Sequence, residues 1–248
     1  MNKQKSYDFI HVGLLVRYNS HLNSESKKET ILKGLSSLQK ALSKIPFTVS
    51  LAALGHLIEK LTEKTGDINP RNKLDLESFN MFQNNIRSLE NTIFAEALTK
   101  VVHTIPLRRY MTEYLLEKPE MLLKNEVFGK LTDMAKFDFT SACRCISYGE
   151  ATASAFHILR ATEDTLKQYY FKYKKTKRLA KPMWGPMTAE LRAKKTNRPN
   201  ETVLSSLDVV RVSYRNPTQH PDIKYDIESA QDLLGVCIDL LNKMAVEL

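Results

Sequence analysis

The chain has 248 residues, 42% of them hydrophobic, with only 8 Gly and 9 Pro and a formal net charge of +9. That length holds one large domain or two small ones with a real core, and so few turn residues weigh against an all-β protein. Three cysteines, Cys143, Cys145 and Cys237, exclude a disulfide framework.

The dominant residues, Leu, Lys, Glu, Ala and Ser, suit helices, so the composition predicts an all-α fold. The positive charge is concentrated. Between residues 165 and 200 stand eleven basic residues and one acid, Glu190, for a net +10, while the remainder is near neutral. Such a segment either attracts a polyanion, most commonly nucleic acid, or forms a solvated helix end and loop. No CxxC, HExxH or carboxylate-rich metal loop occurs, so neither metal nor cofactor is expected. The weakly apolar start is interrupted by Asp8 and His11, which argues against a signal peptide. No apolar run approaches a membrane span. Free thiols fit a reducing compartment, and a cytoplasmic protein without a membrane partner is expected.

Residues 7–18 are apolar and fit either a helix or a strand. From Lys28 a helical stripe runs through Ile31, Leu32, Leu35, Leu38, Leu42 and Ile45, to a boundary at Pro46. Leu51, Leu54, Leu57, Ile58 and Leu61 give a second stripe, stopped near Gly66. Residues 67–70 read as a turn. A long helix is expected over about 75–104 with Pro106 closing it, then a kinked helix over 107–117 and a connection over 121–134. His11, His21, His56 and His103 are scattered, and each reads as a packing or surface histidine. This half carries no recognisable site chemistry.

Asp138 is of the right type to N-cap a helix over about 139–173. That helix would carry an apolar stripe (Ala155, Ile158, Leu159, Thr162, Leu166, Tyr169, Tyr170). A polar stripe of His157, Arg160, Asp164 and Lys167, with Glu163 beside it, would be solvated or line a cleft. The basic segment follows, broken by Pro182, Gly185, Pro186 and Pro199. Within it Trp184 would stack on a base or pin a loop to the core, and a short helix is expected over 188–195. Asn200 can cap a helix bearing Val203, Leu204, Leu207, Val210 and Tyr214. Asp226 can cap a last helix with Ala230, Leu233, Leu234, Cys237, Leu241 and Met244 on one face.

Between these two helices lies Tyr214-Arg215-Asn216-Pro217-Thr218-Gln219-His220-Pro221. A proline disfavours α geometry in the residue before it. The helix is therefore expected to end near Arg215, with Asn216 and His220 extended and no new helix before Pro221. An arginine followed by a histidine after four to six residues arises about once by chance in a chain of this composition, so any weight comes from the setting.

In that setting the chain resembles the HEPN superfamily of small four-helix bundles. Their hallmark is an arginine, usually a polar residue next, and a histidine after a gap of four to six, between the last two main helices. Arg215, Asn216 and His220 match these elements. The helical stretch 143–163 and the turn 214–221 also look like a bacterial branch of the superfamily. The resemblance covers residues 133–248, with a helical region over 1–132. It implies a HEPN-like up-and-down bundle and a metal-independent endoribonuclease that works as a homodimer. It implies a toxin or antiviral-defence setting as well, with an antitoxin or another defence protein as a possible partner.

The chemistry follows from the residue types. RNA supplies its own nucleophile, the 2′-hydroxyl. Histidine exchanges a proton near neutral pH, and arginine holds two phosphate oxygens in a charged fork. On this reading His220 is the acid or base, Arg215 stabilises the transition state and Asn216 positions the phosphate or the imidazole. Glu163, Arg160 and His157 would support them if the polar stripe faces the cleft. Lys172, Lys174, Lys175, Lys177 and Arg178 would bind flanking RNA phosphates. The alternative is a HEPN-like module that dimerises or binds nucleic acid without cutting it, with Arg215 holding carbonyls at a helix end and His220 bonded within the turn.

Overall fold

Residues 6–20 are apolar on two sides, which is why periodicity leaves them undecided. The computed structural model describes residues 4–176, 178–220 and 223–248 and makes this stretch a helix, α1 (Ser6–Ser20). Val12 and Val16 turn into the core, while Tyr7, Ile10, Leu14 and Tyr18 lie exposed on another face. Among the described residues every regular element is helical, as the composition predicts. None of these helices is long and apolar enough to cross a membrane. The chain divides into two compact units, Met1–His103 and Thr104–Leu248.

The first unit consists of α1, α2 (Lys28–Leu42), α3 (Thr48–Lys64) and α4 (Leu76–Leu98). The predicted stripes are its core: Ile31, Leu35 and Leu38 with Leu54, Phe82 and Ile86 are all fully buried. Two charged groups are spent on helix ends. The Lys28 ammonium is buried and donates to the carbonyls of Thr65 and, at 2.9 Å, Ile68, just past the end of α3. A cation is favoured there by the helix dipole. At the other end of α3, the Glu96 carboxylate accepts from the amides of Val49 (3.2 Å) and Ser50 (2.8 Å) and from the Ser50 hydroxyl (2.7 Å). The fourth helix stops at Leu98, short of the expected 104. The Thr99 hydroxyl turns back onto the Glu96 carbonyl, and Val101 and Val102 are exposed.

The second unit opens with α5 (Thr112–Leu116), a 3₁₀ turn (Pro119–Leu122) and α6 (Val127–Lys130). Of the helix expected over 107–117, only α5 forms. The segment expected as a mere connection contributes Leu123, Val127 and Leu131, with Leu115 before it, to the core that also holds Phe139 and Ile158. The division expected between 132 and 133 therefore falls inside this unit.

The single helix expected over 139–173 is two: α7 (Asp133–Tyr148) and α8 (Ala151–Tyr173). Thr132, not Asp138, caps α7, accepting from the Ala135 amide at 3.1 Å. Gly149 ends it with φ +81°, and the amides of Gly149 and Glu150 bond back to the carbonyls of Ile146 and Cys145. That is a Schellman ending, in which a left-handed residue reverses the chain. The reversal folds α8 back along α7. The apolar stripe of α8, from Ala155 to Tyr170, is buried as predicted.

The remaining helices are α9 (Trp184–Arg192), α10 (Glu201–Val210), a π-helical turn (Arg211–Arg215), α11 (Asn216–Thr218) and α12 (Ile227–Glu247). α9 starts earlier than expected because Trp184 is an anchor: it is 1% exposed and its Nε1 donates to the Leu207 carbonyl at 3.1 Å. Burial removes it as a stacking platform for bases. Asn200 and Asp226 cap α10 and α12, accepting from Thr202 and Ser229 amides. The predicted face of α12 is buried throughout.

Candidate functional site

The turn that carries Arg215 is helical rather than extended. Arg215 has φ −64°, ψ −47°, and Asn216 has φ −64°, ψ −51°. This corrects the expectation that Pro217 would force Asn216 out of α geometry and end the helix near Arg215. A proline in a regular helix clashes with the carbonyl four residues back and has no N–H to offer it. Here the preceding turn widens instead: the Asn216 amide bonds to the Arg211 carbonyl, five residues back. A π-turn of this kind relieves the clash without breaking the helix, and such turns recur at functional sites.

The end of the turn is pinned. The buried Thr218 hydroxyl bonds to the Tyr214 carbonyl (2.6 Å) and the Tyr225 hydroxyl (2.8 Å), and Tyr225 in turn donates its amide to Thr152 of α8 (3.1 Å). The His220 amide donates to the Pro217 carbonyl at 3.0 Å. Its imidazole is exposed and makes no hydrogen bond among the described residues. Pro221, the second proline of the expected stiff loop, lies outside the described residues.

Arg215 and Asn216 line a shallow cavity of about 180 Å³ with Arg211 and the start of α9, Met183 to Pro186. Arg215 is half-buried. Its Nη2 is 3.6 Å from Glu163 Oε2 on α8, and its buried Nε has no hydrogen-bond partner among the described residues. Glu163 is thus brought to Arg215.

His157 and Arg160 are not engaged there. They close on Asp138 of α7, whose carboxylate is fully buried: His157 Nδ1 is 2.8 Å from Oδ1 and Arg160 Nε is 3.3 Å from Oδ2. Asp164 continues the same side by accepting from the Thr132 hydroxyl. The polar stripe of α8 therefore packs against α7. At about 100° per residue, Glu163 points some 120° away from His157.

The basic segment is largely tied down within its own unit. The Lys172 ammonium donates to the Glu247 carbonyl, and Lys174 pairs with Glu190 at 3.1 Å. Arg178 donates to the Lys174 carbonyl at 2.8 Å and lies 4.8 Å above the Phe171 ring. Arg192 pairs with Glu201 and Asp208, and Arg198 with Glu201. Lys175 is exposed. Lys177 lies outside the described residues.

The thiols offer no competing nucleophile. Burial pushes Cys143 and Cys237 up to about 12 and raises Cys145 as well, so all are protonated at neutral pH. Among the described residues no three His, Cys, Asp or Glu gather as metal ligands. The chain matches no protein-family model, no curated protein and no solved structure.

Sequence reasoning missed Arg211 and the α9 start. The signal was present: Arg211 and Arg215 are four residues apart, which puts them on one side of a helical turn.

Proposed function

We propose that the chain is a metal-independent endoribonuclease that acts as a homodimer. The observation that carries this reading is the turn itself. Arg215 faces a cavity with one loosely placed carboxylate beside it, and His220, five residues on, presents an exposed imidazole to solvent. A guanidinium at the phosphate stabilises the phosphorane-like transition state. An imidazole moves the proton from the 2′-hydroxyl or to the departing 5′-oxygen. The products are a 2′,3′-cyclic phosphate and a 5′-hydroxyl. Asn216, on the rim of the same cavity, can donate to a phosphate oxygen. Lys175, exposed in the basic segment, is available to a flanking phosphate. The toxin or antiviral-defence setting rests on the resemblance to HEPN proteins alone.

A second reading has an observation of its own. The contact of Arg215 with Glu163, and the internal pairing of the basic segment, fit a non-catalytic module that dimerises or binds nucleic acid within a larger defence assembly.

The two differ in a direct assay. Total tRNA and mRNA incubated with the full chain in excess chelator should be cut, leaving cyclic-phosphate ends. His220→Ala and Arg215→Ala should each lose about 100-fold or more while helix content and oligomeric state persist. Intact RNA in every pool, or equal cutting by His220→Ala, sinks the enzyme reading in favour of the second.

A further inference from the structure

We propose that Arg211 and the start of α9 form a phosphodiester subsite beside Arg215, which seats the RNA phosphate next to the one being cleaved. The ligand class rests on the ribonuclease reading; the subsite rests on the following geometry.

Arg211 and Arg215 bound the π-turn and both line the 180 Å³ cavity. That is well short of the ~300 Å³ or more of a site for a whole small ligand. It suits one phosphate group of a longer chain rather than a free nucleotide. Neither arginine is saturated. The Asp208 carboxylate beside Arg211 is already held by Arg192 through Oδ2, and Arg211 Nε stands 3.5 Å from the other oxygen, Oδ1, without forming a hydrogen bond. The terminal nitrogens of Arg211 make no hydrogen bond among the described residues, and these are the atoms that fork onto a phosphate. Gly185 lies next to Arg211: a Cβ there would stand 3.7 Å from both Cδ and Nη1, an ordinary contact distance. Arg211 thus lies against the start of α9. The cavity lining holds two cations, Arg211 and Arg215, and no acid; Asp208 and Glu163 stand beside them, and Asp208 is shared with Arg192.

The test uses the full chain and a fluorescent 2′-O-methyl oligoribonucleotide, which has phosphodiesters but no nucleophilic hydroxyl, so binding is read without cleavage. By anisotropy the wild-type chain should bind. Arg211→Ala should weaken binding about tenfold or more and make the slope of log affinity against log salt shallower by about one. Arg211→Lys should recover part of the loss. Gly185→Asp serves as a second variant. An acid in the first turn is compatible with the helix, but its carboxylate would occupy Arg211 and should weaken binding to a similar degree at unchanged helix content.

Equal binding by wild type, Arg211→Ala and Gly185→Asp overturns the subsite, as does a wild-type chain that ignores the oligonucleotide. Calorimetric binding of inorganic phosphate without oligonucleotide binding also overturns it, because the site would then take a free oxyanion. The two proposals fail separately. A chain that binds through Arg211 but cuts no RNA keeps the subsite and loses the enzyme. A chain that cuts RNA and is indifferent to Arg211 does the reverse.

Discussion

Glu96 belongs to the last turn of α4, yet its carboxylate closes the start of α3. Burial pushes its carboxyl up, but hydrogen bonds from the Ser50 hydroxyl and from the Ser50 and Val49 amides outweigh that and hold it below its ordinary 4.5. A depressed carboxyl stabilises the fold above the unfolded-state value and loses that contribution as pH falls through the folded one. Glu96→Gln should therefore cost about 1–3 kcal/mol at pH 7, and the gap to wild type should narrow towards pH 3. Urea titrations at the two pH values measure it, and an equal gap at both would refute the assignment. Asp138 carries the opposite lesson. By residue type it reads as an N-cap, but it lies mid-helix, buried under His157 and Arg160. Residue type alone does not separate a cap from a buried anchor. What separates them is the pair of basic groups at i and i+3 on one side of α8, which needs an acid from elsewhere.

At the scale of elements, the apolar stripes were legible because burial imposes the helical period. The breaks were not, because each depends on one backbone conformation. Gly149 reverses the chain between α7 and α8 with a positive φ that an L side chain adopts only at a cost. A Cβ there would also stand 3.3 Å from Arg108 Nη2. Gly149→Ala should lower stability by about 1–2 kcal/mol and reduce Tm in a thermal melt, with no change in helix content below the transition. An unchanged Tm would mean that the reversal does not depend on glycine. Pro217 was read as a helix end for sound local reasons. Its neighbours instead supplied a wider turn, a compensation that spans seven residues and is invisible to a rule about the one before proline.

At the scale of the molecule, charge read along the sequence misleads. The segment from 165 to 200 holds one acid, but Glu201 and Asp208 of α10 pair with its arginines, and the Glu247 carboxylate of α12 accepts from Tyr169 and Tyr173. Its field on a polyanion is correspondingly weaker than the count suggests. The division into units has a sharper consequence. Each unit has its own core, so a chain cut between His103 and Thr104 should give a second piece that unfolds cooperatively. A piece starting at 133 discards Leu115, Leu123, Val127 and Leu131. At about 1.5–3 kcal/mol for each buried side chain, the loss is about 6–12 kcal/mol, comparable to the whole stability of a domain. It should lack a cooperative melt by circular dichroism. If it melts like the longer piece, the segment before α7 is dispensable.

The π-turn before Pro217 can also be seen as a surplus residue lodged in an otherwise continuous helix. Its length matters more than its composition. Removing any one residue between 211 and 215 would restore the ordinary helical count and swing everything upstream by about 100° relative to Asn216 and His220. Conservative replacements at Val212 or Ser213, which are both exposed, would leave the arrangement standing. The turn should thus tolerate substitution and resist deletion, and the angular relation between Arg211 and His220 depends on that one extra residue.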